Sequence, residues 1–388
     1  MSGNKRNIWI VAGETSGDLY GAALAESLKK LYPDDLTISG MGGNAMKDSG
    51  VDIFIDSTEL GIIGFVEVLK SAAKLARLFR MFVKKAKTQR PDAVILINYP
   101  GFNLRLAKKM HRMNIKVIWY ISPHIWVWGK KRIYKLARYC NKMLVIFPFE
   151  VDYYKAKTNL DVEFVGHPLL DIVKGKIDSS IKRDQDKLLI IPGSRLSEIE
   201  RILVPFLEAA LIIKQKHPSI KLIISSARPA VEKKIRLITE QFMIDRKVQI
   251  PFEIESGNNL QLMQQCSTGL AKSGTVTMEA AIIGLPLVVY YRLNPITFFL
   301  AKHILIRKLF RNSFVMPNII ANNAIYEEFL QNEGKPEILA SAVERILPGG
   351  NRRDYVIAEL NKLRANQLSY DNSNASDNAA KAIKSILS

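Results

Sequence analysis

LLIIPGSRLSEIE, from Leu188 to Glu200, is the stretch on which the reading of the fold turns. An apolar β-type run, Leu188 to Ile191, stops at Pro192; Gly193 and Ser194 make a tight turn, Arg195 follows, and a helix is expected to open at Ser197. Ser197 and Glu200 have the S-x-x-E spacing of a capping box, which marks a helix start. The turn therefore stands at a helix N-terminus, where unpaired backbone N–H groups and roughly half a positive charge favour an anion. Arg195 adds a planar, permanently charged fork that suits phosphate oxygens. Alone, P-G-S-R reads equally well as an ordinary strand–turn–helix joint with a surface arginine. Two more turns of the same kind give it weight.

Apolar runs alternate with helical patterns along almost the whole chain. Strands are expected at Ile8–Ala12, Ala93–Ile97, Lys116–Tyr120, Met143–Phe147, Leu188–Ile191, Lys221–Ile224, Gly269–Ala271 and Leu287–Tyr291. Continuous Val/Ile/Leu runs suit parallel strands buried on both faces, and their alternation with helices predicts doubly wound α/β sheets. The pattern restarts after Gly166-His167-Pro168 and a charged segment around Lys174–Lys187, so the domain boundary is placed near residues 168–186. Two domains also fit a length of 388 residues.

The second turn is IWIVAGETSGDLYGAAL near the N-terminus. Gly13, Gly17 and Gly21 allow a tight turn and close helix–sheet packing, but the spacing is not G-x-G-x-x-G, so a dinucleotide site is disfavoured. Glu14, Ser16 and Asp18 fall at the carboxyl edge of the sheet, where α/β proteins bind ligands; alternatively Ser16 and Asp18 simply cap the helix. The third turn is GLAKSGTVTMEAAIIGLPLVVYY. Ser273, Gly274 and Thr275 open a helix and can meet a diphosphate, and Glu279, one turn in, can accept hydrogen bonds from ribose hydroxyls. The plainer readings are an N-cap for Thr275 and a solvated position for Glu279.

The formal charge of +19 favours polyanions, anionic membrane surfaces or phosphorylated substrates. No zinc finger, RNP-type motif or Gly-rich basic tail points to nucleic acid. Cys140 and Cys266 stand far apart without a Cys/His cluster, which argues against a structural zinc or a disulfide framework. Asp184-Gln185-Asp186 matches D-x-D but sits among solvated charges, so no metal is expected there. The N-terminal apolar run is too short for a signal peptide, and no window reaches the ~18 apolar residues of a membrane span. The expectation is a cytoplasmic protein, attached to a membrane at most from that side.

Residues Phe65 to Lys85 read as an amphipathic helix. At about 100° per residue, Lys70, Lys74, Arg77, Arg80 and Lys84 share one face, and Phe65, Val68, Leu69, Leu75, Phe79 and Val83 the other. Either the apolar face packs on the sheet or the helix lies on an anionic bilayer. A second basic and apolar segment, Phe298 to Phe310, favours membrane contact. His124 and His167 read as structural or hinge residues, and Trp126 and Trp128 as core or sugar-stacking groups.

The segments VAGETSGDLYGA, GIIGFVEVL, SPHIWVWGKKR, FPFE with VGHP, IPGSRLSEI, KSGTVTMEA and PNIIA together resemble the lipid-A-disaccharide synthases, inverting glycosyltransferases of the GT-B type. They span nearly the whole chain. The resemblance implies two Rossmann-like parallel-sheet domains facing a cleft: residues 1–170 towards acceptor and membrane, 171–354 for the UDP-sugar, and a C-terminal helix, 355–388, packing back on the first. It implies transfer from UDP-2,3-diacylglucosamine to 2,3-diacylglucosamine 1-phosphate, giving a β-1,6 disaccharide 1-phosphate and UDP, without metal or cofactor, on the cytoplasmic face of the inner membrane. Gly193, Ser194, Arg195, Ser273, Gly274, Thr275, Glu279 and Asn318 would then line the donor site. Ser16, Gly17, Asn103, Ser122 and Trp126 would face the acceptor, and Phe65, Val68, Leu69, Leu75 and Phe79 the membrane. Oligomeric state stays open, a homodimer being one option.

One position departs from the family. Where its pattern has an essential aspartate in I-D-x-P-x-F-N, this chain has LINYPGFN, with Asn98 in that place. A neutral amide cannot take the proton of the acceptor's 6-hydroxyl. Three accounts fit: an inactivated variant, Glu14 or Asp18 as the base, or an aspartate whose task is to orient rather than deprotonate. A UDP-sugar- or lipid-binding homologue without turnover and a GT-B nucleotide-sugar epimerase are the alternative functions.

Overall fold

The computed structural model describes residues 5–57, 68–125, 129–293, 313–368 and 373–387, without the side chains of 68–74 and 367. The chain divides into two compact units, Met1–Asp171 with Leu368–Ser388, and Ile172–Gln367.

The first unit holds seven parallel strands: β1 (Arg6–Ala12), β2 (Leu36–Gly42), β3 (Asp52–Asp56), β4 (Ala93–Ile97), β5 (Lys116–Tyr120), β6 (Lys142–Val145) and β7 (Asp161–Phe164). Their order is β3-β2-β1-β4-β5-β6-β7. Its helices include α1 (Thr15–Leu31), α2 (Asn44–Asp48), α3 (Val68–Gln89), α4 (Pro100–His111), α5 (Arg132–Tyr139), α6 (Pro148–Lys155) and α7 (Pro168–Lys174). Strand β1 from Ile8 to Ala12 and all of β4 are fully or almost fully buried, as continuous apolar runs covered on both faces require. Trp9, Phe82, Leu106 and Trp119 belong to the core beside them.

The second unit repeats the plan with six parallel strands: β8 (Asp184–Ile191), β9 (Lys221–Ser226), β10 (Phe252–Ser256), β11 (Cys266–Lys272), β12 (Leu287–Tyr291) and β13 (Glu327–Leu330), in the order β10-β9-β8-β11-β12-β13. Its helices include α8 (Leu196–Lys216), α9 (Pro229–Arg246), α10 (Asn259–Gln265) and α11 (Thr275–Ile283).

In both sheets the winding reverses beside the first strand, between β1 and β4 and between β8 and β11. Ala12 lies opposite Ile97, and Ile191 opposite Ala271, so the turns that leave each pair of strands are neighbours. Such reversal points are where doubly wound sheets receive ligands.

The chain's return to the first unit is shorter than expected. Helix Arg353–Leu363 stays with the second unit: Arg353 is buried and donates to the carbonyls of Ser267 and Ile346 at 3.0 and 2.8 Å. The return begins at Leu368, whose carbonyl accepts from His167 N–H at 3.1 Å. Helix Ala375–Leu387 then packs on α1, with Ala375 N–H on Asp171 Oδ2 at 2.6 Å.

Candidate functional site

The loop after β8 takes its shape from Gly193, whose φ of +116° lies in a region that L side chains rarely adopt. Helix α8 starts at Leu196 rather than Ser197, with Arg195 as the extended N-cap residue and no side-chain cap. The expected Ser197–Glu200 capping box is therefore absent. The first-turn carboxylate is Glu198, which is buried and faces the loop. Its Oε1 lies 3.5 Å from the Arg195 guanidinium and its Oε2 3.1 Å from Lys272 Nζ. Sequence reasoning missed both Glu198 and Lys272. The available signal was a lysine closing a buried strand one residue before Ser273.

Next to this loop, β11 ends at Lys272 and α11 begins at Thr275, with Gly274 as N-cap. Ser194, Arg195, Gly274 and Thr275 are exposed, and Gly193 and Ser273 half-buried. Thr275 is thus the first helical residue, not a cap; Thr277 makes the local bond instead, donating to Gly274 O at 2.8 Å. Two helix N-termini, Arg195 and Lys272 converge on one edge of the sheet, an arrangement that favours an anionic group. Glu279 is half-buried, and burial raises its carboxyl pKa against the opposing charge of Lys176. It is not the solvated helix position of the plainer reading.

Asn318 does not join this set. Its Nδ2 donates to Tyr326 O and its Oδ1 accepts from Tyr326 N–H, both at 2.8 Å, and it is buried. The amide ties helix Met316–Ala321 to the residues at the start of β13, Nδ2 also donating to Glu328 Oε1 at 3.3 Å.

In the first unit the corresponding edge is made by β1, β4 and β5. Asp18 is buried and its carboxylate accepts from the N–H groups of Gly43, Ala45 and Met46 at 2.6 to 3.1 Å. It caps α2, not its own helix, and both its oxygens are taken up by those amides. Gly17 is a packing residue: a Cβ there would stand 3.3 Å from that of Ala12. Glu14 is exposed at the N-cap of α1, and Ser16 is half-buried. Glu14 is close enough to Tyr99 that its charge adds to burial in raising the phenol pKa.

Asn98 and Tyr99 both take left-handed backbone, with φ of 43° and 47°. Asparagine accepts this conformation more readily than most residues. Asn98 N–H donates to Tyr120 O at 3.2 Å, and Asn103 Nδ2 donates to Ile97 O and Asn98 O at 3.2 and 2.9 Å. Asn103 is fully buried, so it braces the turn rather than meeting an acceptor. Ser122 is also buried and spent, on Pro123 O and Tyr154 Oη at 3.0 and 2.9 Å. Beside them Ile121 has φ 68°, unusual for a β-branched residue, and its carbonyl accepts from Trp119 Nε1 at 3.1 Å. Left-handed backbone of this kind, costing about 1–3 kcal/mol per residue, clusters at functional edges.

His167 is buried, its Nδ1 accepting from Leu169 N–H at 3.1 Å. Burial, with His124 nearby, pushes its pKa down to about 3. An unfolded histidine titrates near 6.5, so stability is complete above that pH. It falls by up to about 1.4 kcal/mol per pH unit as acid takes the pH towards 3, because only the unfolded chain accepts the proton. Melting curves between about pH 7 and 4.5 are expected to slope less steeply for His167→Gln; parallel slopes would count against this source of acid sensitivity.

The described part of the expected membrane face is not free. Leu75 and Phe79 pack against the core, Phe79 edge-to-face on Phe102 with centroids 6.0 Å apart. A helix on a sheet buries its apolar stripe in this way, while Arg77, Arg80 and Lys84 are exposed. Phe65, Trp126, Trp128 and the segment Phe298–Phe310 lie outside the described residues, as do the side chains of Val68 and Leu69. Asp184 and Asp186 stand at the opposite, amino end of β8, where Asp186 N–H donates to Asp184 Oδ1 at 3.0 Å. Among the described residues no helix is long and apolar enough to cross a membrane.

Solved structures of similar fold include the UDP-GlcNAc 2-epimerase of Neisseria meningitidis bound to UDP-GlcNAc, with TM-score 0.61, 12% identity and 98% and 99% of the two chains covered. MurG of Acinetobacter baumannii aligns with TM-score 0.57 at 15% identity, covering 98% and 99%. These likenesses establish the GT-B fold. The sequence relatives go further. The lipid-A-disaccharide synthase of Coxiella burnetii is 35% identical over 394 residues, 99% of each chain, and that of Trichlorobacter lovleyi 36% identical over 352 residues, 89% of each. The family model for lipid-A-disaccharide synthetase matches residues 8–383. The chain belongs to the lipid-A-disaccharide synthetase family of glycosyltransferases.

Proposed function

We propose that this protein transfers 2,3-diacylglucosamine from UDP-2,3-diacylglucosamine to 2,3-diacylglucosamine 1-phosphate, releasing UDP and forming a β-1,6 disaccharide 1-phosphate in lipid A biosynthesis. Family membership supports the reaction class. The observation that carries the donor assignment is the pair of neighbouring turns, Gly193–Arg195 and Ser273–Thr275, at the winding reversal of the second sheet. A departing UDP gains negative charge, and helix N-termini with Arg195 aimed at it stabilise that charge without reorganisation. Glu279 then meets the ribose hydroxyls. The first unit receives the acceptor beside Glu14, Ser16 and Asn98.

Acyl chains contribute about 0.8 kcal/mol per buried CH₂, so both substrates reside in a membrane and the enzyme must come to it. Exposed Arg77, Arg80 and Lys84 on α3, with an overall charge of +19, fit electrostatic attachment to an anionic surface. One assay tests both parts: protein mixed with vesicles of anionic phospholipid carrying the two lipid substrates. Release of UDP together with a tetraacyl disaccharide phosphate, and protein that sediments with the vesicles, are expected. No UDP from a folded preparation that also fails to bind UDP would overturn the reading.

A further inference from the structure

We propose that Lys272 is a second cation for the donor's diphosphate, and that Glu198 is the positioning residue that holds Lys272 and Arg195 at the two turns. The inference rests on the donor reading above and deepens it.

Lys272 joins the turns physically. Its Cδ is 3.4 Å from where a Cβ on Gly193 would stand, and its Nζ 3.7 Å from the same point on Gly274. The side chain thus runs from the loop after β8 to the N-cap of α11. Its side chain is only 16% exposed, and the ammonium lies 5.4 Å from the Tyr291 ring centroid. A cation so far removed from water needs a compensating charge, and Glu198, with a side chain 8% exposed, supplies it at 3.1 Å. The other Glu198 oxygen lies towards Arg195, whose side chain is 78% exposed. One buried carboxylate therefore fixes one sheltered and one solvent-facing cation on adjacent turns.

The charge balance favours a diphosphate over a neutral sugar. Two cations against one carboxylate leave one positive charge, and two helix N-termini add roughly half a charge each. A surface ion pair with no ligand would have no reason to sit at the reversal of the sheet, beside two glycines that keep side chains out of its way. The ammonium offers three donors but pairs with a single described carboxylate, so phosphate oxygens can bond to it while Glu198 remains in place.

The test compares UDP and uridine binding by calorimetry on the full chain, unaltered and as Lys272→Met. The substitution keeps the stem and removes the charge. UDP affinity is expected to fall about tenfold or more, as for a lost charge-assisted hydrogen bond, with uridine affinity unchanged. Because Lys272→Met leaves Glu198 buried without its sheltered partner, Lys272→Met/Glu198→Gln is measured beside it; the double variant removes both charges and is expected to show the same selective loss. Lys272→Arg should recover part of the UDP preference. Variants that keep the parental UDP-to-uridine ratio would reduce the pair to a structural ion pair and overturn this inference alone. A parent chain that binds UDP no better than uridine would overturn it together with the donor reading.

Discussion

Replacing Asn98 by aspartate is expected to raise the rate of UDP release about 10²–10⁴-fold, the usual contribution of a general base. The turn is already built for the exchange. Asn98 is left-handed, a conformation aspartate also tolerates, and its contacts to Tyr120 and Asn103 run through its backbone N–H and carbonyl. Asn98→Asp therefore changes the side-chain chemistry and leaves the scaffold alone. With Asp18 committed to three amides of the α2 N-terminus, Glu14 is the carboxylate remaining from the sequence candidates at this edge. Steady-state kinetics of the parent, Asn98→Asp and Glu14→Gln separate the accounts. An unchanged rate in Asn98→Asp, with collapse in Glu14→Gln, would move the base to Glu14.

The second large effect belongs to Arg195. Arg195→Ala should lower kcat/KM for the donor by about 10²–10³-fold, the scale seen when one preorganised charge-stabilising donor is lost. The side chain is 78% exposed and pairs with Glu198 at 3.5 Å, so its removal disturbs little packing. The loss should therefore appear in the rate without a matching fall in melting temperature. Arg195→Lys should restore only part, since an ammonium cannot offer the bidentate fork. An Arg195→Ala enzyme with parental donor kinetics would take the residue out of the site.

How far the sequence could be read depends on where each residue lies. Central strands such as β4 and β8 announce themselves because burial on both faces leaves only apolar choices. Edge strands do not: DIFID in β3, DVEF in β7, FEIES in β10 and EEFL in β13 each carry two charged residues in four or five, because fewer of their positions are buried. Strand β2, though interior, hides behind Gly40 and Gly42, where the backbone of β1 and the side chain of Met46 leave no room for a Cβ.

The candidate site is legible in its turns and not in its polar side chains. Gly193, Arg195 and Ser273–Thr275 follow from the strand–turn–helix pattern alone. Whether a polar residue faces a ligand or another part of the chain is a long-range property. Asp18 bonds to residues 25 to 28 positions away, and Asn318 to Tyr326 across a strand connection, so neither structural role shows locally. Lys272 and Glu198 were missed for the same reason. They are 74 positions apart in sequence and meet only because β8 and β11 are paired.

The return of Ala375–Leu387 to α1 has a consequence for biogenesis. The first unit is completed by a helix that follows the whole second unit in sequence, with Lys116 on β5 donating to the carbonyl of Ile386 at 2.5 Å. Vectorial synthesis cannot finish the leading domain before the trailing one. Until residues 375–387 have been made, the α1 flank lacks the helix that covers it.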